Sequence, residues 1–420
     1  MKLLLKQVII TDKNSPYNGQ QKDILIEGGK IVSIEDDLSN EDAQNISYDN
    51  LFVSPGWVDI FSHFCDPGYE HRETVETGAL SAAAGGYTTV FTLPNTNPVV
   101  CTKSQVEYII QKCRDLPVTI LPLGAITKNA DGKELAEMYD MLNSGAVAFS
   151  DGLKTVESAG LFLKALQYVK AFDGVLIQVP NDKSVGSFGL MNEGIMSTRL
   201  GLPGIPAIGE EMIISRDIEL EAYTNSRLHI TGVSTARSIE LICKAKANGI
   251  AITCSVTPYH LFFCDEDLAD YDTNLKVDPP LRTRADMMAL RQGVTDGQVD
   301  SIATHHIPHD TDNKICEFEY AKPGMIGLQT CFQVFNTLFP NIDTIKLVEL
   351  FSHNNRQIFN LAPATIKEGM PANLTLFSKE NLTSIEAKNN KSKSRNTAFT
   401  GHQLMGRVIG IINKDQLYLN

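Results

Sequence analysis

From Pro55 onward the chain alternates short apolar runs with helical stretches, and this rhythm constrains the fold more than any other feature. It begins with VDIFSH, the helix TVETGALSAAAGG, YTTVFTLP and the turn PNTNPV. It continues through VTILPLGAI, the helix KELAEMYDMLNSG, AVAFS, the helix ESAGLFLKALQYVKAF and VLIQV. After an insertion from Asn181 to Gly209 and a helix around EEMIISRDIELEAYTN, it resumes with RLHITGV, SIELICKAKANG, IAITCSV and SIATHH. Apolar runs separated by helices are the pattern of parallel strands joined by crossovers. About eight strand candidates result, which favours a closed (β/α)8 TIM barrel over an open doubly wound sheet. No glycine-rich phosphate-binding turn follows any strand, so a nucleotide-binding fold is unsupported.

The flanks read differently. Residues 1–52 contain LLLKQVII, DILIEG and KIVSIE broken by turn residues, and the stretch from about 363 returns to NLTLFS, RVIGIIN and QLYLN. One small β-sandwich built from 1–52 plus 363–420 would close off its own edges, leaving 53–362 for the barrel. The KNNKSKSR stretch within the second flank reads as a basic, flexible segment. With 420 residues, 43% of them apolar, the chain has enough material for one large and one small domain. A net charge of -13 argues against nucleic acid or an anionic membrane as partner. The eight cysteines form no CxxC pair, which points to reduced thiols in a cytoplasmic protein. MKLLLKQVII is too short for a signal segment, and no later run approaches a membrane span.

In such a barrel, chemistry sits at the carboxyl ends of the strands. A strand ending in His-x-His puts both imidazoles on one side, because side chains two apart point the same way. In PGWVDIFSHFCDPG those two positions are Phe61 and His63.

The run PGWVDIFSHFCDPGYEHRETVETGALSAAAGGYTTVFTLPNTNPV resembles the opening of dihydroorotases of the amidohydrolase superfamily. GAVAFSDG, HITGVST, VTPYHL, LKVDPPLR, IATHHIPHD, GMIGLQT and KSRNTAFTGHQLMGRV resemble later blocks in the same order. The resemblance implies a barrel with a β-sandwich and a zinc centre that activates water, acting on the cyclic amide of dihydroorotate in pyrimidine biosynthesis. Most positions that carry that chemistry hold other residues here. The H-x-H-x-R block becomes Phe61, His63 and Cys65. The acid of the FSDDG-like block falls on Gly152, after Asp151. The histidine of the HCED-like block falls on Val179, or on Pro180 with a one-residue slip. The histidine of the HIAHVST-like block falls on Gly232, and the catalytic aspartate falls on His305. Only His63 keeps a metal-ligand position, so no resident cofactor is expected. Phe61 is expected to fill the vacated space beside Gly152 and Gly232.

On the substrate side, the resemblance places Asn97, His309, Gly324, Asp278 and Cys65 around the ring and its carboxylate. Asp278 in place of asparagine, and Cys65 in place of arginine, would repel an acidic substrate. Asn97 equally suits a turn cap between prolines. Asp66, His71, Arg72 and Glu73 read as anchors from loop to helix, with Glu73 and Glu76 near a helix N-terminus.

The leading expectation is a non-catalytic, structural or regulatory dihydroorotase-like protein, a homo-oligomer and a partner of aspartate carbamoyltransferase. The alternative is an active cyclic-amide hydrolase, in which His305, His306 and His309 with His63 and His260 build a new zinc site or a metal-free acid/base pair. A Cys65 nucleophile beside His63 is a third possibility, though one with no orienting group in view.

Overall fold

The computed structural model describes residues 1–420. The two ends of the chain meet in one sheet of eight strands. Its main path runs Gln416–Leu419, Gln403–Asn413, Leu374–Ser384, Phe52–Pro55, Lys2–Ile10, Gln21–Glu27 and Lys30–Glu35, and Gln44–Ile46 pairs alongside Lys2–Ile10. The junction is antiparallel, with Leu374 opposite Pro55 and Phe377 opposite Phe52. The terminal sheet thus extends to Pro55 rather than stopping at residue 52. Its alternating strands bury Leu3, Leu5, Ile24, Ile26, Leu374 and Ile412 in a core of their own.

The middle of the chain forms parallel strands with helices between them. Trp57–Ser62, Tyr87–Thr92 and Thr119–Pro122 make one parallel arc, and Leu176–Gln178, Leu228–Thr231, Ile252–Val256 and Ser301–Ile302 make another. Isolated parallel bridges continue the pairing from Gly124 to Phe149, from Phe149 to Leu176, and from Ser62 to His306. AVAFS therefore contributes a single bridging residue where a full strand was expected. The KELAEMYDMLNSG helix shrinks to Met138–Asn143, because Leu135 is drawn into a bridge with Thr127. The insertion 181–209 folds into a small parallel pair, Met191–Asn192 with Gly204–Ile205, enclosing the helix Ile195–Leu200. No helix is long and apolar enough to cross a membrane.

Trp57 joins the two parts. It is fully buried, and its ring lies 5.1 to 5.3 Å from those of Phe332, Phe351 and Phe377. Its indole N–H donates to Ser54 Oγ at 3.1 Å. Trp57→Phe should cost about 1–3 kcal/mol, from lost packing and the lost indole hydrogen bond. Equilibrium urea unfolding checks this, and an unchanged midpoint would remove Trp57 from the joint.

Candidate functional site at the strand tips

The strand Trp57–Ser62 is buried along its whole length and delivers Phe61 and His63 to the carboxyl-end rim. Phe61 packs in the apolar cluster that contains Leu93, Leu123, Val179 and Ile307. Its ring stacks on His305, with centroids 4.2 Å apart and planes 26° from parallel. The expectation that Phe61 fills the space beside Gly152 and Gly232 is corrected: the side chains against those glycines are Asn95 and His305.

The two glycines are explained by what crowds them. Gly232 adopts φ +74°, and a Cβ there would stand 2.7 Å from His305 Cε1. Gly152 adopts φ +63°, and a Cβ there would stand 1.8 Å from Asn95 Oδ1. Both conformations favour glycine, and both spaces are already occupied. Asn95 acts as a bridge: its Nδ2 donates to the Asp151 carbonyl, and its Oδ1 accepts from Leu153 N–H, each at 3.0 Å. Asp151 itself accepts from the Thr127 amide and hydroxyl, at 2.9 and 2.5 Å. Burial pushes its carboxyl up to about 6, against those two hydrogen bonds.

The imidazoles have little left to offer. His63 Nδ1 accepts the Cys65 N–H at 2.8 Å, so Nε2 carries the proton and donates to the Asn95 carbonyl at 3.2 Å. His260 is held the same way, by the Thr257 hydroxyl and the Pro279 carbonyl. His306 accepts from the Gly327 N–H and donates to Glu73, 3.3 Å away in both cases. A directed chain fixes His305. The His229 Nε2 proton goes to Ser255, Ser255 donates to Thr231 at 2.8 Å, and Thr231 donates to His305 Nε2 at 2.8 Å. Four of the five histidines proposed for a relocated site thus spend a ring lone pair inside the protein. His309 differs. Its Nε2 donates to the Pro323 carbonyl at 3.0 Å while its buried Nδ1 has no partner. Burial lowers the pKa of His63, His260 and His309 to about 4.

A divalent metal needs several free N, O or S lone pairs converging at about 2 Å. No group of three His, Cys, Asp or Glu side chains is gathered in that way in this structure. The Cys65 and His63 pairing is likewise corrected: His63 faces the Cys65 amide, and burial raises the thiol far above its ordinary value.

Of the residues expected around a substrate, Gly324 and His309 lie together. Asn97 is exposed in its turn and held only through its backbone N–H to the Pro67 carbonyl, so Asn95 is the asparagine of PNTNP that meets the rim. Asp278 accepts from Asn181 Nδ2 at 2.7 Å, and burial raises its pKa. Gly324 brings its backbone against Ile307 and His309. Asn396 clamps that corner by donating to the carbonyls of Ile307 and Gly324 and accepting from the His309 N–H. Sequence reasoning missed Asn95, Asn181 and Asn396, and PNTNP carried no signal that set Asn95 apart from Asn97.

Residues 50–238 match a family described as dihydro-orotase-like. The chain is 37% identical to a dihydroorotase of Syntrophus aciditrophicus over 97% of both chains. It is 40% identical to a dihydroorotase of Caldanaerobacter subterraneus subsp. tengcongensis, over 99% of this chain and 97% of the other. Among solved structures, an L-hydantoinase (dihydropyrimidinase) from Arthrobacter aurescens superposes with a TM-score of 0.87 at 23% identity, covering 100% of this chain and 96% of that one. That likeness shows a shared fold.

Proposed function

Because this chain belongs to the dihydroorotase-like family, we propose that it is a pyrimidine-biosynthesis protein whose catalytic centre has been closed by its own side chains. In this reading the two parallel arcs are the halves of a (β/α)8 barrel, and the protein acts as a structural or regulatory member of its pathway. The observation that carries the reading is the Phe61–His305 stack, with the His305 ring lying where a side chain at 232 would have to stand. Gly152 and Val179 support it, since neither offers a donor. The substrate side agrees: a carboxylate at Asp278 and a thiol at Cys65 give an acidic substrate no cationic clamp.

A non-catalytic copy retains value as a partner. We place it as a homo-oligomer that assembles with an aspartate carbamoyltransferase. The rival reading, an active hydrolase built on relocated histidines, draws on the free Nδ1 of His309. A lone neutral imidazole with a pKa of about 4 is a weak base at neutral pH.

The test is turnover. Full-length protein, assayed with and without added zinc, is expected to leave both dihydroorotate hydrolysis and N-carbamoyl-aspartate cyclisation at the uncatalysed rate. Turnover that scales with protein and disappears in His309→Ala would establish the rival. Co-sedimentation with an aspartate carbamoyltransferase is expected, and its failure over a range of concentrations would remove the partnership.

A further inference from the structure

A second candidate site shares only His306 with the residues described at the strand tips. A cavity of about 510 Å³ opens between the end of the helix Val75–Ala84, the 326–333 stretch, the end of the strand Leu374–Ser384 and the strand Gln403–Asn413. Four cations line it, Lys388, Lys391, Arg395 and Arg407, against one carboxylate, Glu386. Glu386 is already paired with Lys388 at 2.7 Å. Lys391, Arg395 and Arg407 have no anionic partner, which stands out in a chain of net charge -13.

The basic segment is held in place, contrary to the flexible segment its composition suggested. Ser392 and Lys393 donate to the buried Glu73, and Ser394 Oγ donates to the Arg72 carbonyl at 2.7 Å. The Lys391 N–H donates to Gln329 Oε1 at 2.9 Å, and Gln329 Nε2 returns to the Asn389 carbonyl at 2.8 Å. With the backbone of the basic segment held, less of the chain has to be ordered when a ligand enters the cleft.

We propose that this cleft binds a small phosphorylated molecule, with its phosphate on Arg395, Arg407 and Lys391. Guanidinium forks match phosphate oxygens in pairs, and the single carboxylate is neutralised by its own lysine.

Calorimetric titration of the full chain with ribose 5-phosphate, and separately with inorganic phosphate, tests this. Saturable binding of the sugar phosphate is expected, weakened at least about tenfold in Arg395→Gln/Arg407→Gln. Ribose 5-phosphate is expected to bind more tightly than inorganic phosphate, and equal affinity for the two would reduce the cleft to a bare phosphate site and overturn the proposal. Circular dichroism confirms that the arginine variant folds. Undiminished binding in the arginine variant, no saturation by either probe at millimolar concentration, or preferential salt-sensitive binding of duplex DNA would each overturn the proposal.

Discussion

Gly232→His, the substitution that would put an imidazole back at a strand tip, is expected to destabilise the protein by about 2–5 kcal/mol. Two costs add. The backbone sits at φ +74°, where a side chain costs about 1–2 kcal/mol. The new Cβ would also lie 2.7 Å from His305 Cε1, in a packed interior where forced insertion costs about 1–3 kcal/mol. His305→Ala alone should be destabilising through loss of the Phe61 stack and the Thr231 hydrogen bond. Combined with Gly232→His it should recover part of the loss, with a coupling of about 1–3 kcal/mol between the two sites. Urea unfolding of the wild type, both single variants and the double variant measures that coupling. Strict additivity would mean that the His305 ring is not what excludes a side chain at 232.

Stability is expected to fall steeply as pH drops from 6.5 toward 4. His63, His260 and His309 have folded pKa values near 4 and His229 near 3, all against an ordinary value of 6.5, and burial is the principal cause. In the unfolded chain these imidazoles take up protons as pH passes below 6.5, while the folded chain refuses them until about 4. Their stabilisation is therefore complete above 6.5 and is lost through that window, each imidazole giving up about 1.4 kcal/mol for every pH step of one within it. Asp151 and Asp217, both raised to about 6, act in the opposite sense, since the folded state takes their protons first. Asp59 and Asp278, also raised by burial, act in that same sense, while His305 joins the imidazoles, so the net fall is smaller than the imidazoles alone would give. Urea midpoints between pH 7.5 and 4.5 check the balance, and a flat profile would show that these histidines are not held neutral.

The parallel strands and the joining of the two ends were legible because both rest on hydrophobic period, which the chain displays locally. Shortfalls came where a long-range contact outcompeted a local preference, as when Leu135 left its helical run to bridge Thr127. The residues at the strand tips could be placed by motif, but their reasons could not. Gly152 answers to Asn95 and Gly232 to His305, pairs far apart along the chain whose meeting only the fold defines. Within PNTNP, nothing in the string distinguishes Asn95, which bridges the rim, from Asn97, which stands in solvent.

The seam at Trp57 also sets an order of assembly. Its backbone N–H donates to Thr375 Oγ1, a partner 318 residues away along the chain, and the strand just before it pairs with Leu374–Ser384. During synthesis the first sheet strands emerge early and wait for their neighbours until almost the whole protein has been made. Contacts of such separation slow folding and leave strand edges open to other chains in the meantime. Truncation from the carboxyl end should therefore aggregate the amino-terminal strands as well as remove the last ones.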